Sequence, residues 1–201
     1  MSSKVRSFPL PADDAPLRRR FQAGDRSAFE RLARPHLDVL YTLCLRILGE
    51  PTDAEDVAQD TLLRAMDRCR YYDPERAFRP WLLSIATNVC RDRLRTVWWR
   101  RVVGWTPRAE TAVPPRAESQ AEAGERDAQV RAAMLQLPVI YREAVALFHL
   151  EDMSYSQMEE ITGVSQPALK QRVRRGTQLL REILLRLYPD VSISRIQSDS
   201  P

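Results

Sequence analysis

Amide and cationic side chains repeat at helical spacing in residues 154–180, SYSQMEEITGVSQPALKQRVRRGTQLL. The set on the outward side of the second half comprises Gln166, Lys170, Gln171, Arg174 and Arg175. Residues four apart share one face of a helix, and Gln, Lys and Arg on such a face can contact base edges or phosphates in a DNA major groove. The alternative is a solvated basic face on an ordinary helical hairpin.

A second polar and cationic set has helical spacing between residues 78 and 96 and consists of Ser84, Asn88, Arg91 and Arg95. The preceding loop, RYYDPERAF, adds two rings and two cations, which are Tyr71, Tyr72, Arg76 and Arg79. Rings that stack on bases, beside cations that neutralise phosphates, suit single-stranded nucleic acid. The alternative is that the tyrosines are half-buried packing residues and the arginines are solvated. Trp81, near the inward side of the helix, is predicted to belong to the core.

Carboxylates form a third group, which consists of Asp53, Glu55, Asp56 and Asp60. A stripe along the exposed side of one helix, near its N-terminus, is better explained by stabilisation of the helix dipole and by docking of a partner than by a metal. His36 and His149 have no Cys or acidic residue at metal-ligand spacing. The sequence has no glycine-rich phosphate loop, Ser/His/Asp arrangement, H-E-x-x-H or C-x-x-C. We therefore expect no catalytic residue, no metal and no cofactor.

The elements that must position the first set are two short helices. Ser154 and Gln157 form a capping box that begins one helix, and Gly163 supplies the permissive backbone that ends it. Ser165 is expected to cap the second helix, with Pro167 in the first turn, where a missing N–H costs little. The apolar residues predicted to face inward are Met158, Ile161, Leu169, Val173 and Leu180. This spacing predicts a helix-turn-helix.

Helical patterns also fill the first half of the chain. Asp25 is expected to cap a long helix that ends at Gly49 and is kinked at Pro35. Residues 52–55, TDAE, form a second predicted capping box. Another helix is expected to begin near residue 78 and to carry the second polar set. These helices together predict one small helical domain.

Residues 98–125 interrupt the helical pattern with prolines and small polar residues, which predicts a flexible linker. Helices resume near Arg126, and LQLPVIYREAVALFHLED predicts a helix end, a proline start and an amphipathic helix. Only VSISRI, near the C-terminus, shows any strand-like alternation. The predicted fold class is all-α with two small helical domains. The predicted segments are a disordered N-terminus at 1–15, a first domain at 16–97, a linker at 98–125, a second domain at 126–187 and a tail at 188–201.

Length and composition set outer limits on these interpretations. A chain of 201 residues, of which 44% are hydrophobic, can form small helical cores. The formal net charge of +4 permits a polyanionic partner without requiring one. Cys44, Cys69 and Cys90 lie far apart in apolar helical contexts, so we expect no disulfide framework. The sequence contains no secretory signal and no apolar run long enough to cross a bilayer, so we expect a cytoplasmic protein without membrane insertion.

Four segments, taken in this order, resemble the extracytoplasmic-function class of bacterial RNA polymerase sigma factors. They are DAEDVAQDTLLRAM, FRPWLLSIATNVCRDRLR, the LP before an amphipathic helix, and SYSQMEEITGVSQPALKQRVRRG. The resemblance covers residues 16–97 and 126–185. It implies that the first domain binds core RNA polymerase and opens the promoter −10 element, and that the helix-turn-helix reads duplex DNA at the −35 element. It also implies an anti-sigma factor that covers the polymerase-binding surfaces.

Matched position by position, the resemblance assigns three sets of residues. Core polymerase is expected to contact Asp53, Asp56, Gln59, Asp60 and Leu63. The melted −10 element is expected to contact Tyr71, Tyr72, Arg76, Ser84, Asn88, Arg91 and Arg95. The −35 element is expected to contact Ser165, Gln166, Pro167, Ala168, Lys170, Gln171, Arg174 and Arg175. Pro167 and Ala168 stand where small or polar residues are more usual in the family, so the phosphate contacts of this helix are better defined than its base contacts.

Two other classes of function compete with this interpretation. A free-standing transcriptional regulator can use the same helix-turn-helix, but such regulators generally dimerise to span two half-sites, and the sequence has no coiled-coil seam. An enzyme would need a convergent catalytic set, which the sequence lacks. Both arguments favour a promoter-specificity subunit that acts together with polymerase.

Overall fold

The structure, a computed structural model, describes residues 14–102, 121–150 and 153–189. Within these ranges the regular structure is helical, with no strand, which confirms the predicted fold class. The helices are α1 (Ala15–Gln22), α2 (Arg26–Ala33), α3 (Leu37–Leu48), α4 (Pro51–Asp67), α5 (Phe78–Val102), α6 (Ala121–Leu135), α7 (Val139–Val145), α8 (Tyr155–Thr162) and α9 (Gln166–Leu187). None of these helices combines the length and the apolar character that a membrane span requires.

Side-chain capping and one proline decide where the first helices begin and end. The carboxylate of Asp25 accepts hydrogen bonds from the backbone N–H groups of Ser27 (2.9 Å) and Ala28 (3.2 Å), so α2 begins where predicted. The long helix predicted to reach Gly49 is two helices instead. Pro35 lies in a 3₁₀ turn between α2 and α3, because its ring removes an N–H from the helical ladder. Gly49 ends α3 in the left-handed region, with φ of 91°.

The start of α4 differs from the prediction. The capping box at residues 52–55 is wrong, because Pro51 occupies the first helical position and Glu50 is the N-cap residue, without a side-chain cap hydrogen bond. Asp53 therefore lies inside the first turn, where its negative charge favours the helix dipole. α5 begins at Phe78, as predicted.

An aromatic cluster holds α1, α2 and α5 together. Phe21 is fully buried, and its ring centre lies 5.4 Å from that of Tyr72. The ring centres of Phe78 and Trp81 lie 5.5 and 5.6 Å from that of Phe21, and Trp81, predicted to belong to the core, is half-buried and packs against it. Such aromatic pairs contribute about 0.5–1.5 kcal/mol each beyond the area that they bury. The cluster therefore fixes the N-terminal half of α5 against the first two helices.

Helices α6 to α9 form a second bundle that contains the predicted helix-turn-helix. α7 follows Pro138, and the capping box before α8 is confirmed. The backbone N–H of Gln157 donates to Oγ of Ser154 at 3.3 Å, and the N–H of Ser154 donates to Oε1 of Gln157 at 2.9 Å. Gly163 ends α8 with φ of 69°. Ser165 is the N-cap residue of α9, but its side chain makes no cap hydrogen bond.

The inward faces of α8 and α9 match the predicted set, since the following residues are all buried: Met158, Ile161, Leu169, Val173 and Leu180. Gly176 lies where α9 passes α7, and a Cβ atom at this position would be 2.7 Å from Cγ2 of Val145. Only glycine allows the two helices to approach this closely. A π-helical segment, Ala146–Leu150, extends α7.

The linker is shorter than predicted at both ends. α5 continues to Val102, beyond the expected end at residue 97, and α6 begins at Ala121, before the expected start at Arg126. Residues 121–125 are rich in Ala and Glu, which are strong helix formers. Outside the described residues lie 1–13, 103–120, 151–152 and 190–201, and with them nearly all of the N-terminal segment predicted to be disordered, most of the predicted linker and the VSISRI segment.

The two bundles are in contact. α6 and α7 pack against α3, and α8 packs against α5. Nη1 of Arg142, in α7, donates to the carbonyl oxygen of Ile47, in α3, at 2.6 Å. The side chain of Leu135, at the end of α6, lies so close to Gly49 that a Cβ atom there would overlap it. In both of these contacts a side chain of the second bundle meets the backbone of the first.

Candidate nucleic-acid interface

A cleft between α4 and α5 gathers cationic residues predicted to bind DNA. Its volume is about 370 Å³, and its lining consists of Arg64, Arg68, Ile85, Asn88, Val89, Arg91, Asp92 and Arg95. The α5 residues come together because spacings of three and four residues place them on one face of the helix. Four guanidinium groups and an amide, with a single carboxylate among the lining residues, make a cleft that suits an anionic strand. We call it the arginine cleft.

Sequence reasoning missed Arg64 and Arg68, which α4 contributes to the arginine cleft. Nη2 of Arg64 lies 2.9 Å from Oδ2 of Asp60, and its Nη1 lies 3.9 Å from Oδ2 of Asp92. Arg68 is exposed and has no ion pair within the part of the chain that the structure describes. The signal that would have found them is their four-residue spacing, one turn before the tyrosine loop.

Asn88 is exposed at the arginine cleft. Its Oδ1 accepts a hydrogen bond from Nη1 of Arg91 at 3.2 Å, while its N–H donors have no partner among the described residues. Arg91 also donates through Nε to Oε2 of Glu143 in α7, at 3.0 Å. Arg95 pairs with Asp92 at 2.9 Å but is largely exposed. The amide of Asn88 is thus free to hydrogen-bond a base, whereas Arg91 already has a carboxylate partner.

The two tyrosines of the loop before α5 differ in exposure. Tyr71 is 86% exposed, so its ring is accessible for stacking. Tyr72 is 1% exposed, its hydroxyl donates to the carbonyl oxygen of Arg76 at 2.6 Å, and burial raises the pKa of its phenol. The prediction that Tyr72 contacts DNA is therefore wrong for this conformation, because its ring belongs to the aromatic cluster. The alternative interpretation, that the loop tyrosines are packing residues, therefore applies to Tyr72 and not to Tyr71.

Besides the buried Tyr72, three predicted −10 residues do not line the arginine cleft, namely Tyr71, Arg76 and Ser84. Nε of Arg76 is 3.5 Å from a carboxylate oxygen of Asp73, and the arginine remains exposed. The hydroxyl of Ser84 donates to the carbonyl oxygen of Trp81 at 2.7 Å, within its own helix. The cleft thus brings together Asn88, Arg91 and Arg95 but not the other four predicted residues.

The outward face of the first half of α9 carries the predicted cations and amides. The exposed set, which we call the basic face, consists of Lys170, Gln171, Arg174 and Arg175. Nζ of Lys170 lies 5.7 Å from the ring centre of Tyr155 in α8. Gln166 is half-buried, and its Nε2 donates to Oε2 of Glu159 at 2.9 Å. Ser165 and Pro167 are exposed and Ala168 is half-buried at the N-terminal end of the helix.

The acidic side of α4 is partly neutralised by arginines. Arg93 in α5 pairs with Asp53 and lies 3.8 Å from Asp56, and Arg64 pairs with Asp60. Leu63 is 66% exposed on this helix, and Gln59 is exposed as well. A large apolar side chain among polar and acidic neighbours is typical of a surface that a partner protein covers. The α4 patch is our name for the five residues predicted to contact core polymerase, which are Asp53, Asp56, Gln59, Asp60 and Leu63.

The described residues include no group of three or more His, Cys, Asp and Glu side chains arranged to hold a metal ion. Cys44, Cys69 and Cys90 are buried free thiols. The contact with Cys44, together with burial, raises the pKa of the Cys90 thiol. A buried thiol whose pKa is raised is a poor nucleophile and a poor metal ligand, so Cys90 acts as a core residue.

Comparison with known proteins gives the same two-part division. The family model of sigma-70 region 2 matches residues 32–100, and that of sigma-70 region 4 matches residues 127–180. The first match contains α3, α4 and most of α5, and the second contains the helix-turn-helix. The arginine cleft and the α4 patch thus lie within the first match, and the basic face lies within the second.

Two relatives are similar over nearly their whole length. RNA polymerase sigma factor CarQ of Myxococcus xanthus is 33% identical, over 86% of this chain and 98% of CarQ. ECF RNA polymerase sigma factor SigM of Mycobacterium tuberculosis is 31% identical, over 90% of this chain and 90% of SigM. Among solved structures, CnrH in complex with the cytosolic domain of CnrY is 27% identical with a TM-score of 0.65, over 89% of this chain and 99% of that one.

The fold is also that of the sigma factor RpoE from Bartonella quintana, whose structure, solved in complex with the anti-sigma factor NepR, has a TM-score of 0.67 at 22% identity. This likeness covers 78% of the present chain and 96% of RpoE. The family models match both helical domains, and the sequence relatives span the chain from one domain to the other. The chain therefore belongs to the RNA polymerase sigma factors of the extracytoplasmic-function class.

Proposed function

We propose that this sigma factor binds core RNA polymerase through the α4 patch and directs transcription initiation through two DNA-binding surfaces. The arginine cleft takes the separated −10 strand, and the basic face of α9 enters the major groove at the −35 element. The observation that carries the proposal is the cleft, where four arginines surround an exposed amide. In this role the chain supplies promoter specificity, and the polymerase supplies the catalysis.

The composition of the arginine cleft suits a single strand better than a duplex. A base that has left its stack needs a hydrogen-bonding group for its edge, and each flanking phosphate needs a cation. Asn88 offers N–H donors with no partner among the described residues, and Arg68 on the opposite helix offers an unpaired guanidinium. Arg95 is largely exposed, so it can reach a second phosphate. We extend the predicted −10 set to include Arg64 and Arg68.

Replacing Asn88 tests the role of the cleft in strand opening. Asn88→Ala in the holoenzyme should reduce open-complex formation and relax the preference at one −10 position, while leaving folding and core binding unchanged. A pre-melted bubble template should restore opening but not the base preference. Gln22→Ala is the matched control, because this half-buried amide on α1 has no partner among the described residues. Transcription of every −10 variant at the parental level by Asn88→Ala would place the base pocket elsewhere.

Substitutions of two arginines of α9 test whether the basic face binds DNA or is merely solvated. Arg174→Ala should weaken binding of the holoenzyme to the −35 element by about 1–3 kcal/mol if it meets a base, or lower the salt dependence if it meets a phosphate. Arg181→Ala is the control, because Arg181 is exposed two turns further along α9, also without an ion pair among the described residues. Equal effects of the two substitutions on both quantities would show that the basic face is merely solvated.

We also propose that an inhibitory protein covers the α4 patch when transcription is not induced. CnrH, which shares the fold over nearly its whole length, was solved in complex with the cytosolic domain of CnrY. The exposed Leu63 and the carboxylates around it supply an apolar and acidic docking surface. Affinity capture of the full chain from uninduced native cells should recover this partner beside core polymerase, both of them in the cytoplasm. Recovery of polymerase alone would contradict the inhibitor.

A further inference from the structure

We propose that two residues of α8, Tyr155 and Glu159, decide which bases the chain selects at the −35 element, because they fix the orientation of two side chains of α9. Those side chains are Lys170 and Gln166. The inference rests on the proposed function in one respect, which is that α9 enters the major groove. It goes beyond that function, because it assigns the choice of base to positioning residues on the helix before the DNA-binding one.

Glu159 fixes which end of the Gln166 amide is available to DNA. Nε2 of Gln166 donates to Oε2 of Glu159 at 2.9 Å, and both side chains are half-buried. An ionised carboxylate only accepts hydrogen bonds, so the amide must turn its nitrogen toward Glu159. Such a charge-assisted bond is roughly twice as strong as a neutral one. Oε1 of Gln166 and the second N–H of Nε2 have no partner among the described residues, so these groups are left for a base.

An amide held in this way matches adenine. The major-groove edge of adenine carries an amino group at N6 beside the acceptor N7, and these pair with Oε1 and the remaining N–H of Gln166. Guanine carries two acceptors, O6 and N7, so one of them would face Oε1 with no proton between them. A freely rotating glutamine could turn its nitrogen toward guanine, but here that rotation breaks the bond to Glu159. Glu159 therefore disfavours guanine through Gln166.

Tyr155 restrains the neighbouring cation, Lys170. Nζ of Lys170 lies 5.7 Å from the centre of the Tyr155 ring, which is within the range of a cation–π contact. The same ring stacks on that of Phe148, with ring centres 4.9 Å apart and an angle of 21° between the ring planes. Lysine is otherwise a point charge on a flexible stem, so this contact limits where its N–H donors reach. Those donors suit an acceptor-rich base, which in the major groove is guanine.

The helix-turn-helix sets the spacing of the two contacts. Tyr155 and Glu159 are four residues apart on α8, as Gln166 and Lys170 are on α9, so each pair lies on one face of its helix. The inward faces of both helices are buried in a shared core. α8 therefore cannot rotate away from α9 without exposing apolar side chains, and the two contacts act together on neighbouring positions of α9.

The base preferences of the holoenzyme test this assignment. The promoter that the parental holoenzyme transcribes is randomised at the −35 element, and bound duplexes are sequenced for each variant. Gln166→Ala identifies the position that this amide reads, because it removes the preference there. Glu159→Gln keeps the size and a hydrogen bond but not the polarity, since an amide at residue 159 can also donate to Oε1 of Gln166. We expect it to lower the adenine-to-guanine ratio about tenfold at that position alone.

Matched variants supply the controls. Glu160→Gln removes the same charge from the next residue, which is exposed without an ion pair among the described residues, and should leave every preference unchanged. Glu159→Gln/Gln166→Ala should equal Gln166→Ala, since Glu159 acts through that amide. At the position that Lys170→Ala identifies, Tyr155→Leu should lower the guanine preference about twofold to fivefold, and Tyr155→Phe should retain it because the ring remains.

An unchanged adenine-to-guanine ratio in Glu159→Gln would overturn the inference. So would an equal loss of preference at every position, which is the result of a merely structural role, or a parental preference for another base at the Gln166 position. Circular dichroism establishes that each variant is folded, and the nearly isosteric Glu159→Gln remains informative if Tyr155→Leu is not.

The same selection distinguishes failure of this inference from failure of the proposed function. If Gln166→Ala and Lys170→Ala each change one position while the Tyr155 and Glu159 variants change none, only the positioning role fails. If the parental holoenzyme shows no base preference at the −35 element, the proposed function of α9 fails, and the inference fails with it.

Discussion

Replacing Arg142 by methionine is expected to destabilise the chain more than any other change of an arginine discussed above. Its guanidinium donates to the carbonyl oxygens of Met134 (2.9 Å), Leu135 (2.6 Å), Leu137 (3.0 Å) and Ile47 (2.6 Å). The carbonyl groups of Met134 and Leu135 lie in the last turn of α6, and that of Ile47 lies in the last turn of α3. One cation thus caps the C-terminal ends of two helices from different domains.

The magnitude follows from the number of buried bonds. Three of the four hydrogen bonds are buried, and leaving a buried carbonyl without a donor costs about 1–3 kcal/mol. Burial lowers the pKa of Arg142, which means that the charged form pays a desolvation penalty that methionine would relieve. Subtracting that relief, we expect Arg142→Met to lower the free energy of unfolding by about 2–4 kcal/mol.

Urea-induced unfolding of the full chain, followed by circular dichroism, measures this loss. Arg142→Lys should fall between the parent and Arg142→Met, because an ammonium group cannot reach four carbonyls from one position. Arg181→Met, at an exposed residue of α9, should stay within about 0.5 kcal/mol of the parent. A loss below about 1 kcal/mol for Arg142→Met would refute the reasoning, since it would mean that water replaces the guanidinium at the helix ends.

Three further predictions concern packing, pH and docking. Gly176→Ala should lower the free energy of unfolding by about 1–2 kcal/mol in the same urea assay, because the new Cβ would lie 2.7 Å from Val145 and the better helix propensity of alanine offsets only part of the strain. Burial, and to a smaller extent the charge of Arg79, lowers the pKa of His36 from its unfolded value of 6.5. Near pH 6 the unfolded chain therefore binds more protons than the folded chain, so the free energy of unfolding should fall as the pH drops from about 7 through 6.5. His36→Gln should flatten that part of the stability profile, and an unchanged profile would contradict it. Asp60→Lys should impair co-purification with core polymerase while unfolding stays within about 0.5 kcal/mol of the parent, and equal retention of Asp60→Lys and Asp38→Lys would count against docking at the α4 patch.

Helix ends that depend on neighbours in sequence were predictable. The capping box of Ser154 and Gln157, the left-handed Gly163 and the helix start after Pro138 all involve groups within three or four residues of one another. The same reasoning failed at residues 52–55 because two cap signals overlap there. Pro51 satisfies the first helical position without donating an N–H, and the helix therefore begins before the Thr of the predicted box.

Features that depend on distant parts of the chain were not predictable. Tyr71 and Tyr72 are adjacent and identical in type, and only the packing of Phe21 from α1 decides which ring is buried. Arg64 and Arg68 become part of the arginine cleft because α4 lies beside α5, which helical periodicity alone does not specify. Glu143 has no distinguishing neighbour in sequence, and its role depends on a partner in the other domain.

The net charge explains little about this protein, because some of its arginines join helices and others are available to bind an anion. Arg142 and Arg46 are buried and use their guanidinium groups to join helices, so a change in either is expected to alter the stability of the chain. Arg68 and Arg174 are exposed without an ion pair in the described residues, so their charge is available to an anion. Arg91 lies between these classes, since it pairs with the buried Glu143, and a phosphate would use the same N–H groups of its guanidinium. Arg91 is therefore the residue of the arginine cleft at which the proposed DNA binding competes with an ion pair inside the chain.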